Sequence, residues 1–169
     1  MFSSKLRNYS AGEVFSTTVQ FSLGCNYLSR VDPPLVFSLL ANVAFSIELI
    51  FKTLIILDGK PPIRNTHNLN SLFKKLSPDT QNAIQQEWDA LIRVGTKREA
   101  LDFLAANGDR FDRQLTTALA LAADAFVEFR YAHEMIKLPA MYLQGLEQRI
   151  VGMILRREPD FEKLIPHFE

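Results

Sequence analysis

One apolar stretch, from Leu35 to Leu57, constrains the fold more than any other part of this sequence. Only Glu48 and Lys52 are charged within it, although about 20 apolar residues suffice to cross a bilayer. A carboxylate and an ammonium inside the stretch would each cost about 2.5–3.5 kcal/mol on membrane insertion. Proline pairs flank the stretch, and an Asp-Gly step follows it, which is typical of helices in soluble proteins. We therefore predict the central helix of a soluble bundle, with no membrane contact.

The two charges of this helix are spaced for an ion pair. Glu48 precedes Lys52 by four residues, which is the favoured order for an acid and a base on one helix face. The simpler interpretation is a structural ion pair. The alternative is that both residues line a site, because buried charges are weak evidence for stability alone.

Length and charge narrow the function classes. The 169 residues predict a single domain spanning residues 1–169. Because 19 basic residues balance 19 acidic ones, bulk charge does not favour nucleic acid, and no motif indicates sequence-specific DNA binding. A lone cysteine, Cys25, fits a reducing compartment, and its place on an apolar helix stripe predicts a buried, inert thiol. Without a recognisable signal peptide, we expect a cytoplasmic protein.

Apolar periodicity and capping residues predict helices along most of the chain. We expect Asn68 or Thr66 to cap a short helix, and Ser77 followed by Pro78 to begin the next one. The predicted helices are Ala11–Arg30, Leu35–Leu57, Leu69–Leu76, Pro78–Val94, Lys97–Asn107, Arg110–Ile136 and Met141–Arg157. The fold class is therefore all-α, an up-and-down bundle of four to five main helices with one or two short ones.

The familiar catalytic and metal-binding signatures are absent from the sequence. His67, His133 and His167 form no His-Glu-x-x-His motif, and the seven glycines form no phosphate-binding loop. One cysteine cannot build a thiolate zinc site. We therefore expect no metal and no cofactor.

Several polar residues nevertheless stand among apolar ones. His67 follows a proline-rich loop. It either fixes this loop through a hydrogen bond to the backbone or belongs to a site, and the sequence favours neither interpretation. A second group lies near the end of the predicted long helix, where His133 is more simply a hydrogen-bonded residue at the core edge. Its members are Arg130, Tyr131, His133 and Glu134.

These polar residues belong to two recurring patterns. Residues 44–76 read AFSIELIFKTLIILDGKPPIRNTHNLNSLFKKL, and residues 126–134 read FVEFRYAHE. The first resembles the HEPN-type helical domain family, in which Glu-Leu-x-x-Lys on an apolar helix precedes a glycine loop and His-x-Leu-x-x-Leu. The second is similar to an aromatic-Arg-Tyr-x-x-Glu stretch of a prokaryotic branch. The matching residues of the first are Glu48, Leu49, Lys52, Gly59, His67, Leu69 and Leu72.

The resemblance implies a helical bundle that is often a homodimer, in a family of toxin and defence RNases, nucleotide-associated proteins and members without known activity. Active RNases of this type carry an arginine and a histidine separated by four to six residues. Arg130 and His133 are only three apart, and none of the three histidines has an arginine at the required spacing. We therefore expect a catalytically silent binding or interaction module that associates with nucleotide, RNA or a protein partner. The alternatives are an RNase or nucleotide-handling enzyme using Arg130, His133 and Glu134, and a structural subunit.

The embedded charges also predict a geometry. We expect Glu48, Lys52, His67, Arg130 and Glu134 to converge where the late helix crosses the central one. An unpaired charge in the apolar run would carry a desolvation cost of several kcal/mol. Arg130 and Glu134 are the nearest candidates to relieve it on a helix that packs against the centre.

Overall fold

The protein is an all-α helical bundle. Its structure is a computed structural model that describes residues 9–32, 35–93, 114–131 and 143–166. Within these ranges every regular element is a helix. The elements are α1 (Ala11–Leu28), α2 (Val36–Leu57), α3 (Leu69–Phe73), α4 (Pro78–Ile92), α5 (Leu115–Leu121), α6 (Ala125–Arg130), α7 (Leu146–Arg157) and a 3₁₀ helix (Pro159–Leu164).

The helix α2 is the centre of the bundle, as predicted. It contacts α1, α3, α6 and α7, and its apolar residues Ile47, Phe51 and Leu54 are completely buried. By length and composition alone α2 could cross a membrane, but 56% of its most apolar window is buried inside the protein. A core helix of a soluble protein has the same properties.

The helices α1 and α2 pack antiparallel. Phe21 meets the ring of Phe45 edge to face, whereas Val14, earlier in α1, lines a common cavity with Leu49, later in α2. A capping box begins α1, in which Ser10 accepts the backbone N–H of Glu13 and its own N–H donates to the Glu13 carboxylate. The helix ends at Leu28, two residues before the predicted end.

The predicted caps of α3 and α4 are confirmed. The Asn68 side chain accepts the Ser71 N–H, so Asn68 and not Thr66 caps α3. Ser77 caps α4 by accepting the N–H of Thr80, and Pro78 occupies the first turn. Leu76 is buried but follows the end of α3.

The predicted long helix Arg110–Ile136 is wrong as one element. Its described part forms α5 and α6, separated by a turn over residues 122–124. The carbonyl of Ala123 in that turn accepts the backbone N–H of Leu69 at 2.8 Å, and Asn68 donates to the carboxylate of Asp124 at 3.2 Å. The break therefore leaves the Ala123 carbonyl available to accept an N–H at the start of α3. In a continuous helix that carbonyl would accept an N–H of its own helix.

The last helix also begins later than predicted, at Leu146. Gly145 precedes it with a φ of 88°, a left-handed conformation that favours glycine. After α7, Phe161 of the 3₁₀ helix packs its ring 5.1 Å from that of Phe15 in the core. The predicted helix Lys97–Asn107 lies outside the described residues.

Candidate functional site

A buried carboxylate, Glu48, forms the middle of a three-residue cluster. Its side chain is 0% exposed, and its Oε1 accepts Lys52 Nζ at 2.6 Å. His67 Nδ1 lies 3.0 Å from Oε2 and 3.2 Å from Oε1 of the same group. The ion pair predicted from the four-residue spacing is therefore present, and His67 joins it.

The loop between α2 and α3 brings His67 to the cluster. Gly59 and Asn65 adopt positive φ angles of 76° and 54° in that loop, which turn the chain back after α2. His67 immediately precedes the cap of α3, and the hydrogen bond from Leu69 to Ala123 anchors that helix start. The ring is consequently held against α2 by fixed backbone on its C-terminal side.

The cluster orients the imidazole of His67. With Glu48 ionised, the contact to its carboxylate places a proton on Nδ1, so that in the neutral ring Nε2 is the acceptor. The side chain of His67 is 47% exposed, in contrast to the two charges beside it. The pair thus combines a buried carboxylate with a solvent-accessible imidazole, an arrangement suited to hydrogen bonding or proton transfer.

An aromatic cleft of about 520 Å³ lies next to this cluster, between α1, α2 and α6. Phe126 stacks on Phe45 with ring centroids 4.4 Å apart, and the ring of His67 lies 5.9 Å from that of Phe126. The described residues that line the cleft are Phe21, Phe37, Ser38, Ala41, Asn42, Phe126, Phe129 and Arg130. We refer to it as the aromatic cleft.

Arg130 stands over aromatic rings. Its guanidinium carbon is 5.3 Å from the centroid of Phe126 and 5.7 Å from that of Tyr131, which is the range of cation–π attraction. Within the described residues, the structure gives Arg130 no ion pair with Glu48. Phe126 links the predicted residues, since both His67 and Arg130 contact it.

The structure therefore brings together part of the predicted set. Glu48, Lys52 and His67 are in direct contact, Arg130 reaches them through Phe126, and Tyr131 is exposed at the end of α6. His133 and Glu134 lie outside the described residues, so their convergence stays a prediction.

The sequence did not predict a role for Asp58, whose carboxylate is also buried. Its side chain is 4% exposed and accepts the Ser77 N–H at 2.7 Å, the Thr80 hydroxyl at 2.8 Å and Arg157 at 3.0 Å. Burial alone raises the pKa of Asp58, but these hydrogen bonds outweigh it and hold the pKa below its ordinary value. The Asp-Gly step indicated only a helix end, because the partners from α4 and α7 are distant in sequence.

The thiol of Cys25 is buried in the core. Burial, with the nearby charge of Glu147, raises its pKa to about 11. Because the thiolate is the reactive form, this thiol is protonated and unreactive at neutral pH, as its position on the apolar stripe predicts.

Comparison with known proteins does not assign a family. A scan against protein-family models, a search of the curated proteins and a search of the solved structures each return no match. The resemblance to the HEPN-type family stays a prediction that rests on the quoted sequence patterns.

Proposed function

We propose that this chain is a non-catalytic binding module whose ligand is a nucleotide, held in the aromatic cleft. The observation that carries the proposal is the chemistry of the cleft. Its lining includes four phenylalanines, and Arg130 is the one charged group among its described residues. A defence or toxin–antitoxin context, which the resemblance implies, belongs to the same proposal.

The aromatic side chains suit the flat part of such a ligand. Stacking of a base on an aromatic ring contributes about 1–3 kcal/mol and tolerates any base, since each has a π face. Phe37 is 48% exposed and stands at the cleft, where it is available for a ring to pack against. A volume near 520 Å³ lies within the range of small-molecule pockets, about 300–1,000 Å³.

Arg130 suits the anionic part. Its planar guanidinium pairs with phosphate through two parallel hydrogen bonds. Arg130 is exposed at the end of α6, so its guanidinium is accessible to such a ligand. Because the described lining contains no carboxylate, no like-charge repulsion from these residues opposes an incoming phosphate.

Calorimetric titration with adenosine monophosphate tests this proposal. We expect saturable binding, and about tenfold weaker binding of adenosine, which lacks the phosphate. Arg130→Gln should weaken nucleotide binding by a similar factor. The matched control is Arg93→Gln, because Arg93 is also an exposed arginine at a helix end but lies outside the cleft lining.

The outcomes separate the three candidate functions. Equal nucleotide affinity of the Arg130 and Arg93 variants would contradict the proposed site. Adding a short single-stranded RNA to the same series tests the RNase alternative, which cleavage dependent on Arg130 would support. If neither nucleotide nor RNA binds, the remaining candidate is a structural subunit.

We further propose that the chain forms a homodimer in the cytoplasm, through the apolar residues that begin α2. Leu35 and Val36 are about half exposed, at 48% and 51%. Contiguous apolar residues on a protein surface favour association. Light scattering over a concentration series should give twice the monomer mass, and Val36→Lys should return the monomer. A monomer mass at high micromolar concentration would contradict the proposal.

A further inference from the structure

A second cavity, of about 430 Å³, lies between α1 and the middle of α2. None of its described lining residues belongs to the aromatic cleft. The described lining consists of Tyr9, Glu13, Val14, Thr17, Leu49 and Lys52. We call it the Lys52 cavity. It is separate from the proposed nucleotide site, and the two can be tested independently.

Lys52 is the group in this cavity with the most unused hydrogen-bonding capacity. An ammonium carries three N–H donors, and within the described residues the structure gives one of them an acceptor, Glu48. The side chain is only 11% exposed. The two hydroxyl groups of the lining already have acceptors, since Tyr9 donates to the carbonyl of Ile63 and Thr17 donates to that of Glu13.

The rest of the wall is largely apolar. Val14 and Leu49 contribute aliphatic surface from the two helices, and Tyr9 contributes a ring. The Glu13 carboxylate accepts the Ser10 N–H at 2.8 Å as part of the capping box. A ligand that fills this space therefore needs one acceptor for Lys52 and an apolar body for the remainder.

We propose that the Lys52 cavity binds a small organic carboxylate, with its charged group on Lys52 and its apolar body against Val14 and Leu49. A carboxylate is the acceptor with which an ammonium forms its strongest hydrogen bonds. Because the side chain of Lys52 is only 11% exposed, little water competes with the ligand for its two remaining N–H donors.

Glu48 links this cavity to His67. The Glu48 carboxylate contacts both Lys52 and His67. Lys52 gives one N–H to Glu48, so its other two N–H groups are available to the ligand. His67 contacts Glu48 from the loop before α3 and so helps to hold the carboxylate that positions Lys52.

Other charged groups surround this linkage. Glu13 stands in the cavity wall and opposes an incoming anion. Arg64, over the ring of Tyr9 at 5.8 Å, and Arg130, beside Phe126, favour one.

Titration with phenylacetate, compared with phenylacetamide, tests the site. We expect phenylacetate to bind and the uncharged amide to bind about tenfold more weakly. His67→Gln keeps a donor for Glu48, so it should retain phenylacetate binding.

A cavity-filling variant localises the effect without disturbing the buried charges. Thr17 is exposed at the cavity, and Thr17→Phe should abolish phenylacetate binding while leaving the nucleotide titration unchanged. Gln20→Phe, at an exposed position of α1 outside this cavity, is the matched control. The proposal is overturned if wild type does not bind phenylacetate or binds the amide equally. It is also overturned if Thr17→Phe retains binding.

Discussion

Glu48 and Asp58 are two buried carboxylates at the centre of the same protein, and they differ in what their partners leave unused. Asp58 ends α2 and receives a backbone N–H, a hydroxyl and a guanidinium from α4 and α7. Arg157 also donates to the carbonyl of Leu57. Asp58 thus joins three helices through hydrogen bonds that leave its carboxylate well satisfied.

Glu48 has partners whose hydrogen-bonding capacity is not fully used. Lys52 lines a cavity with donors to spare, and His67 is nearly half exposed. Burial of a charged group therefore does not by itself indicate the role of that group. A carboxylate with saturated partners on several elements fixes the fold, whereas one with unsaturated partners beside cavities can respond to a ligand.

The largest expected effect comes from Lys52→Met. This change leaves the completely buried carboxylate of Glu48 without its cation, and breaking one half of a buried pair costs about 3–5 kcal/mol. Urea unfolding at neutral pH measures the loss in the free energy of unfolding.

The double variant Glu48→Leu, Lys52→Met is the control for this prediction. Replacing a buried pair with apolar residues is often close to neutral, so the double variant should be clearly more stable than the single one. A loss of less than about 1 kcal/mol for Lys52→Met would mean that Glu48 reaches solvent or another cation. Glu48 would then not be the buried, lysine-dependent carboxylate that contrasts with Asp58.

A smaller effect is expected from Asp58→Ala. The Ser77 N–H and the Thr80 hydroxyl lose their acceptor at the start of α4, at a cost of about 2–3 kcal/mol. Arg157 is 39% exposed and can turn to water, which limits the loss. Asp160→Ala is the matched control, because Asp160 is 88% exposed and should change stability by no more than about 0.5 kcal/mol.

The Asp58 contribution should also depend on pH. Because its folded pKa lies below the ordinary value of 3.8, the stability that it provides is present above that value. It is lost as pH falls through the folded pKa. The difference in unfolding free energy between wild type and Asp58→Asn should therefore shrink below about pH 4. A constant difference down to pH 2 would show that the hydrogen bonds do not favour the ionised form.

Local signals in the sequence account for the starts of α1, α2, α3 and α4. Asn68, and Ser77 followed by Pro78, predicted two helix starts because a cap satisfies backbone N–H groups a few residues away. The apolar run predicted α2 to within one residue at its start. The break between α5 and α6 carries no such signal, since the alanine-rich sequence around Ala122 and Ala123 favours a continuous helix.

The all-α class, the buried centre and the ion pair of Glu48 with Lys52 follow from the sequence, because one helical turn sets the separation of that pair. The sequence also predicts that His67 and Arg130 approach the pair, but the tertiary structure sets the contact of His67 with Glu48 and the position of Arg130 over Phe126. Those contacts join different elements, and their distances depend on loop conformation and on the turn at residues 122–124. Helical periodicity specifies neighbours within one helix, whereas packing specifies neighbours between helices.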